Sequence, residues 1–153
     1  MKKFIIALVA LVSTTVYAQK SSWSYKVGIV TGLPANVTKT NINAGSTLVE
    51  ASKKITKKVS STFTSGYIRI TSDATVSQVP VLAGLKYYMT DQWYFGAACG
   101  ITIPTKKGYG PTDFGYSPYV GYQKNHISVD MRYYLSGTGN PISTAALVFS
   151  YTL

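Results

Sequence analysis

The chain has 153 residues, 13% of them charged, with 15 Lys and Arg against 5 Asp and Glu and a formal net charge of +10. That length suits one domain, and the lone Cys99 excludes an internal disulfide. So basic a balance fits anionic partners, but the first residues send the chain out of the cytoplasm, which sets nucleic acid aside.

Residues Met1–Ala18 read as a secretory signal. Lys2 and Lys3 form the basic start, Phe4–Val12 (FIIALVALV) the apolar core, and Val16-Tyr17-Ala18 a cleavage site before Gln19. The alternative is a retained anchor, for which the apolar run is short. The residue after the cleavage site is Gln19 and not cysteine, which argues against a lipoprotein. Cleavage leaves a domain over 19–153 with a net charge of about +8.

The rest of the chain alternates between apolar and polar with period two, the mark of strands with one apolar face. Trp23–Gly32 sets Trp23, Tyr25, Val27 and Ile29 against Ser24, Lys26, Gly28 and Val30. Asn41–Ala51 is weaker: Ile42, Ala44 and Leu48 share a side that Ser46 and Glu50 dilute. A turn is expected at Ser52-Lys53-Lys54. Ile55–Ile70 then groups Val59, Phe63 and Tyr67, with Thr, Val, Ile and Tyr favouring strand over helix. Gln78–Met89 and Trp93–Ile103 form a hairpin about Thr90-Asp91-Gln92. Val79, Val81, Ala83, Leu85, Tyr87 and Met89 face one way, as do Trp93, Phe95, Ala97, Cys99, Ile101 and Ile103.

Phe114–Ser136 gives the clearest hairpin, turning at Lys124-Asn125. Its apolar faces are Phe114, Tyr116, Pro118, Val120, Tyr122 and Ile127, Val129, Met131, Tyr133, Leu135. Ser143–Leu153 is the eighth strand. Three connections are tight, and four (Leu33–Thr40, Thr71–Ser77, Pro104–Asp113, Gly137–Ile142) are longer and rich in Gly, Pro, Thr and Lys. An all-β, eight-stranded antiparallel up-and-down transmembrane barrel has this plan, with short periplasmic turns and longer outer loops. Aromatics sort accordingly: Trp23, Tyr25, Tyr87, Trp93, Tyr122 and Tyr151 fall near the periplasmic end of the apolar face, and Tyr67, Phe114, Tyr116 and Tyr133 near the outer end. Two such girdles match the two interfaces of a bilayer.

The stretches SPYVGYQKNHISVDMRYYLSG and LAGLKYYMTDQWYFGAACG, with the terminal FSYTL, resemble the small outer-membrane β-barrel domain proteins, relatives in architecture of the OmpA and OmpX barrels. The resemblance spans Trp23–Leu153, is strongest from Gln78 onward, and rests on glycine and aromatic patterns that specify fold more than activity. It implies location in the outer membrane and insertion by the barrel-assembly machinery, which commonly reads a terminal aromatic residue. This chain departs from that pattern by ending in Leu153, with Phe149 and Tyr151 at the alternate positions.

A barrel of eight strands has an interior just wide enough for its own side chains, so no wide pore is expected. Lys26, Lys86, Asp130 and Arg132 are the expected lumenal polar network, padded by Tyr88, Tyr94, Tyr119 and Tyr134. Asp130 is read as the one mid-lumen acid, paired with Arg132 or Lys86, since buried charges need partners. A gated conduit or ligand site is the sharper alternative. His126, Ser128 and Asp130 follow one another on one face, but spacings of about 7 Å per step are too long for a relay. No metal-ligand cluster, phosphate-binding loop or nucleotide motif is present, and no cofactor is expected. Lys53, Lys54, Lys57 and Lys58 crowd a periplasmic turn. Lys39, Lys106 and Lys107 fall in outer loops, within reach of lipopolysaccharide phosphates. The expectation is therefore a monomeric, non-catalytic barrel with a structural or surface-interaction role, partnered by outer-membrane lipids and lipopolysaccharide. The alternatives are a lipid- or lipopolysaccharide-modifying enzyme and a soluble periplasmic barrel binding a small apolar ligand.

Overall fold

The computed structural model describes residues 23–34, 46–71, 75–105, 112–136 and 142–153. The expected signal and the lysines of the outer loops lie outside these residues. Eight strands follow one another: β1 (Trp23–Pro34), β2 (Ser46–Lys54), β3 (Val59–Thr71), β4 (Thr75–Tyr88), β5 (Trp93–Pro104), β6 (Asp113–Lys124), β7 (Ile127–Ser136) and β8 (Ile142–Thr152). Each pairs antiparallel with its neighbours in sequence, and β1 pairs with β8, which closes the sheet into a barrel.

Closure forces a tilt, and the registers give its size. From Glu50 the pairing runs through Thr64, Leu82, Gly100, Gly115 and Ser136 to Ile142. In the other direction it runs through Lys26 to Thr152. The two arrivals are ten residues apart along β8, so the strands are strongly sheared and slope about the axis. Tilt brings residues distant in register to one height, which assembles the lumen described below.

Apolar side chains cover the outside. Ile29, Leu85, Phe95, Met131, Leu147 and Phe149 are all exposed, Leu85 and Met131 at 57% each. Cys99 is exposed on the same surface. The ladder is interrupted at two places, between Ser65↔Val81 and Ile68↔Gln78 and between Tyr116↔Leu135 and Tyr119↔Arg132. Each gap contains a proline, Pro80 or Pro118, whose ring nitrogen has no hydrogen to give.

Four expectations are corrected. In β2 the inward face is Ser46, Leu48, Glu50 and Ser52, while Thr47, Val49 and Ala51 face outward. Pairing decides this: Val49 sits opposite Val27, and Ala51 opposite Phe63, both outward residues. The β2–β3 turn is at 55–58, because Lys53 and Lys54 remain in the ladder opposite Ser61 and Ser60. The β3–β4 connection shrinks to 72–74, because the ladder continues through Ile70↔Val76 and Thr71↔Thr75. The β6–β7 turn is Asn125-His126, since Lys124 pairs with Ile127.

Asn125 has φ 54°, the left-handed region that Asn tolerates better than most residues. Replacing it with Val should destabilise the hairpin by roughly 1–2 kcal/mol, and Asn125→Gly should be close to neutral. Urea unfolding of the two variants in detergent micelles measures the contrast.

Candidate functional site

The lumen divides into two storeys. Toward the long connections Val30, Leu48, Ile68, Leu82, Ala98, Tyr134, Ala146 and Val148 form one buried apolar cluster, bordered by uncharged polar residues such as Ser46, Gln78, Thr102 and Thr144. Toward the short turns the lumen is charged. Lys26, Lys86, Asp130 and Arg132 are all buried there, joined by Glu50.

Glu50 is the hub. Its Oε1 accepts from Lys86 Nζ at 2.5 Å and its Oε2 from Arg132 Nη2 at 2.7 Å. Arg132 Nη2 also reaches Asp130 Oδ2 at 2.8 Å, so one guanidinium bridges two carboxylates. Tyr94 donates its hydroxyl to Asp130 Oδ1. Lys26 has no carboxylate partner in this set; its Nζ donates to Gln123 Oε1 at 2.8 Å and Ser128 Oγ at 3.1 Å. Aromatic faces complete the enclosure. Lys86 lies 4.7 Å and Lys26 5.2 Å from the centre of the Tyr94 ring, and the Arg132 guanidinium 4.4 Å from that of Tyr119. Three cations and two carboxylates thus meet from β1, β2, β4 and β7, and residues of β5 and β6 pack on them.

Two glycines make room for the rings. A methyl group at Gly96 would run into the Tyr119 ring, and one at Gly121 into Asp130 Oδ1 and the Tyr94 ring. The half-buried Tyr88 packs against Tyr94 with ring centres 5.6 Å apart.

The reading of the lumen acids therefore needs correcting. Asp130 pairs with Arg132 as expected, but it is not alone, and Lys86 goes to Glu50. Glu50 was assigned to the wrong face because β2 has almost equally polar faces. The available clue was charge: three inward cations cannot be balanced by Asp130.

The ten aromatic positions Trp23, Tyr25, Tyr87, Trp93, Tyr122, Tyr151, Tyr67, Phe114, Tyr116 and Tyr133 are all on the outward face, exposed or half-buried. Trp93 meets Tyr122 edge-on at 5.2 Å, and the Tyr122 hydroxyl donates to Gln92. His126 stacks on Tyr151 at 5.6 Å, and its Nδ1 lies 3.0 Å from the Thr152 carbonyl. It occupies the exposed turn, whereas Ser128 and Asp130 face the lumen and are engaged by Lys26, Tyr94 and Arg132. The three do not form a relay. Among the described residues, no group of three or more His, Cys, Asp and Glu is placed to hold a metal ion.

No protein-family model and no curated protein matches the chain. Solved structures do. The chain is similar to the Yersinia pestis outer membrane protein Ail in a phospholipid bilayer nanodisc, with a TM-score of 0.63 at 13% identity over 87% of this chain and 99% of that one. It is also similar to the N-terminal β-barrel domain of Pseudomonas aeruginosa OprF, at TM-score 0.53 and 11% identity over 87% and 98% of the two chains. The fold is that of the small outer-membrane barrels. A third similar structure is Ail in complex with the heparin analogue sucrose octasulfate, at TM-score 0.53 and 12% identity over 86% of this chain and 97% of that one.

The ion network predicts an asymmetry between single and double substitutions. Lys86→Met leaves Glu50 under-compensated and should cost about 3–5 kcal/mol. Adding Glu50→Gln should recover most of that loss, because Arg132 retains Asp130. A double-mutant cycle by urea unfolding in detergent measures the coupling.

Proposed function

We propose that the chain is an integral outer-membrane β-barrel with a structural or surface-interaction role, without a wide pore and without catalysis. The observation that carries this is the inversion of the barrel: apolar side chains cover its outside, and an ion network fills the short-turn half of its inside. Water outside such a surface would leave more than twenty large apolar side chains wet, whereas lipid tails solvate them. A soluble barrel binding an apolar ligand would have the opposite facing.

In this reading residues 1–18 direct export and are removed, 19–153 form the barrel, and the short turns face the periplasm. The outward aromatics sit at the two interfaces, Trp23, Tyr25, Tyr87, Trp93, Tyr122 and Tyr151 below and Tyr67, Phe114, Tyr116 and Tyr133 above. The ion network of Lys26, Glu50, Lys86, Asp130 and Arg132 is a plug that fixes strand pairing across the lumen. β8, with Phe149 and Tyr151 on its outward face, is the segment offered to the barrel-assembly machinery. Surface interaction falls to the long connections, whose Lys39, Lys106 and Lys107 suit anionic groups such as lipopolysaccharide phosphates. Ail, a barrel of the same fold, is solved in complex with the heparin analogue sucrose octasulfate, which supports an anionic partner.

The membrane reading predicts a faster-migrating band for unheated protein on a denaturing gel of the outer-membrane fraction. A single unshifted band, with the protein in the soluble periplasmic fraction, contradicts it. It also predicts that Met131→Arg, on the outward face, lowers stability in lipid vesicles by about 2–4 kcal/mol. Equal urea midpoints for Met131→Arg and the native chain would count against lipid at that face.

A further inference from the structure

The three turns at the charged end of the barrel are not alike. That between β4 and β5 carries the carboxylate of Asp91, and that between β6 and β7 is Asn125-His126. The β2–β3 connection instead reads KKITKK, with Lys53, Lys54, Lys57 and Lys58 all exposed around Ile55, itself 60% exposed. The turn is tightly built. Ile55 and Thr56 donate their backbone N–H groups to the Val59 carbonyl at 2.8 and 3.0 Å. The Thr56 hydroxyl accepts from the N–H groups of Lys58 and Val59 at 3.2 and 3.0 Å. Among the described residues, no carboxylate comes within ion-pair distance of any of the four lysines. The nearest acid along β2, Glu50, points into the lumen and is spent on Lys86 and Arg132. The turn thus carries four exposed lysines with no counter-charge among the described residues, so an external anion is their natural complement.

Position within the barrel selects which anion. Lys53 sits opposite Trp23 in the ladder, and its Nζ lies 5.7 Å from the centre of that ring. Trp23 faces outward with 42% exposure. An outward tryptophan at a barrel rim marks the headgroup level, so the ammonium groups stand where lipid phosphates are.

We propose that the Lys53–Lys58 turn and Trp23 form a binding site for anionic phospholipid headgroups of the phosphatidylglycerol type, in the leaflet that meets the short-turn rim. The inference rests on the membrane reading above. Four lysines neutralise phosphate and glycerol-phosphate oxygens, and the Trp23 ring packs on the glycerol backbone. A zwitterionic lipid brings its own cation and loses this advantage.

The two tryptophans of the chain allow a direct test. Trp93→Phe leaves Trp23 as the reporter, and Trp23→Phe leaves Trp93 as a reference beside Asp91. Each protein is refolded into vesicles of mixed phosphatidylcholine and phosphatidylglycerol, with bromine on one lipid or the other. Quenching of Trp23 should be roughly two- to fivefold stronger from brominated phosphatidylglycerol than from brominated phosphatidylcholine, and the ratio at Trp93 near one. The ratio at Trp23 should fall toward one with Lys53, Lys54, Lys57 and Lys58 changed to Gln, and also at about 1 M salt, which screens the intact lysines. Equal ratios at the two tryptophans, or a ratio at Trp23 indifferent to both salt and the Gln changes, overturns the site. Equal ratios together with lysine-dependent retention on peptidoglycan sacculi overturns it in favour of the cell wall. No quenching of either tryptophan by either lipid overturns the membrane reading itself, and the site with it.

Discussion

Two cations, Lys86 and Arg132, share the two oxygens of Glu50 inside a closed sheet of eight strands. Taking such groups out of water is costly, and removing one partner leaves a charge the lumen cannot hydrate. Much of the interior follows from that demand. Asp130 is bound to the same guanidinium, Tyr94 is held by Asp130, and Gly121 is small because both lie against it. Tyr119 covers Arg132 and needs Gly96 to be small for the same reason. The network joins strands far apart in sequence, so it also checks their pairing: a shift of one residue in β2 would carry Glu50 to the outside.

The charged storey does not extend the length of the barrel. Leu82 and Val148, each 1% exposed, lie in an apolar storey toward the long connections. The barrel therefore has apolar side chains outside along its whole girth and inside along part of its height. A lumen packed by rings, ion pairs and aliphatic side chains is a plug, which agrees with the size limit of eight strands.

Legibility in the sequence varied along the chain for physical reasons. From Gln78 onward, facing residues differ sharply in polarity, as in Ser128, Asp130, Arg132 against Val129, Met131, Tyr133, and strand, face and partner order were readable. In β2 both faces mix small polar and aliphatic residues, Ser46, Leu48, Glu50 against Thr47, Val49, Ala51, so alternation there carried no facing signal. The ladder with β1 and β3 supplies it. The β2–β3 turn lies three to four residues beyond its expected place, because lysines at 53 and 54 pass for turn residues when they sit at the rim of a barrel. The apolar storey was missed for a related reason: Val30, Leu82 and Val148 were grouped with polar neighbours on an inside face, which gave no hint that they would gather into one layer. Of the five charged lumen residues, four were readable as inward and the hub was not.

Cys99 offers the most direct test of the barrel's facing, since it is the chain's one cysteine and lies on the outward surface between Ala98 and Gly100. A nitroxide attached there, with the protein in phospholipid vesicles, should collide freely with oxygen and scarcely with a water-soluble nickel chelate, as a label among acyl chains does. A label open to the nickel chelate, or one immobilised and closed to both agents, would mean that this face meets water or packs inside the protein, and would contradict the account.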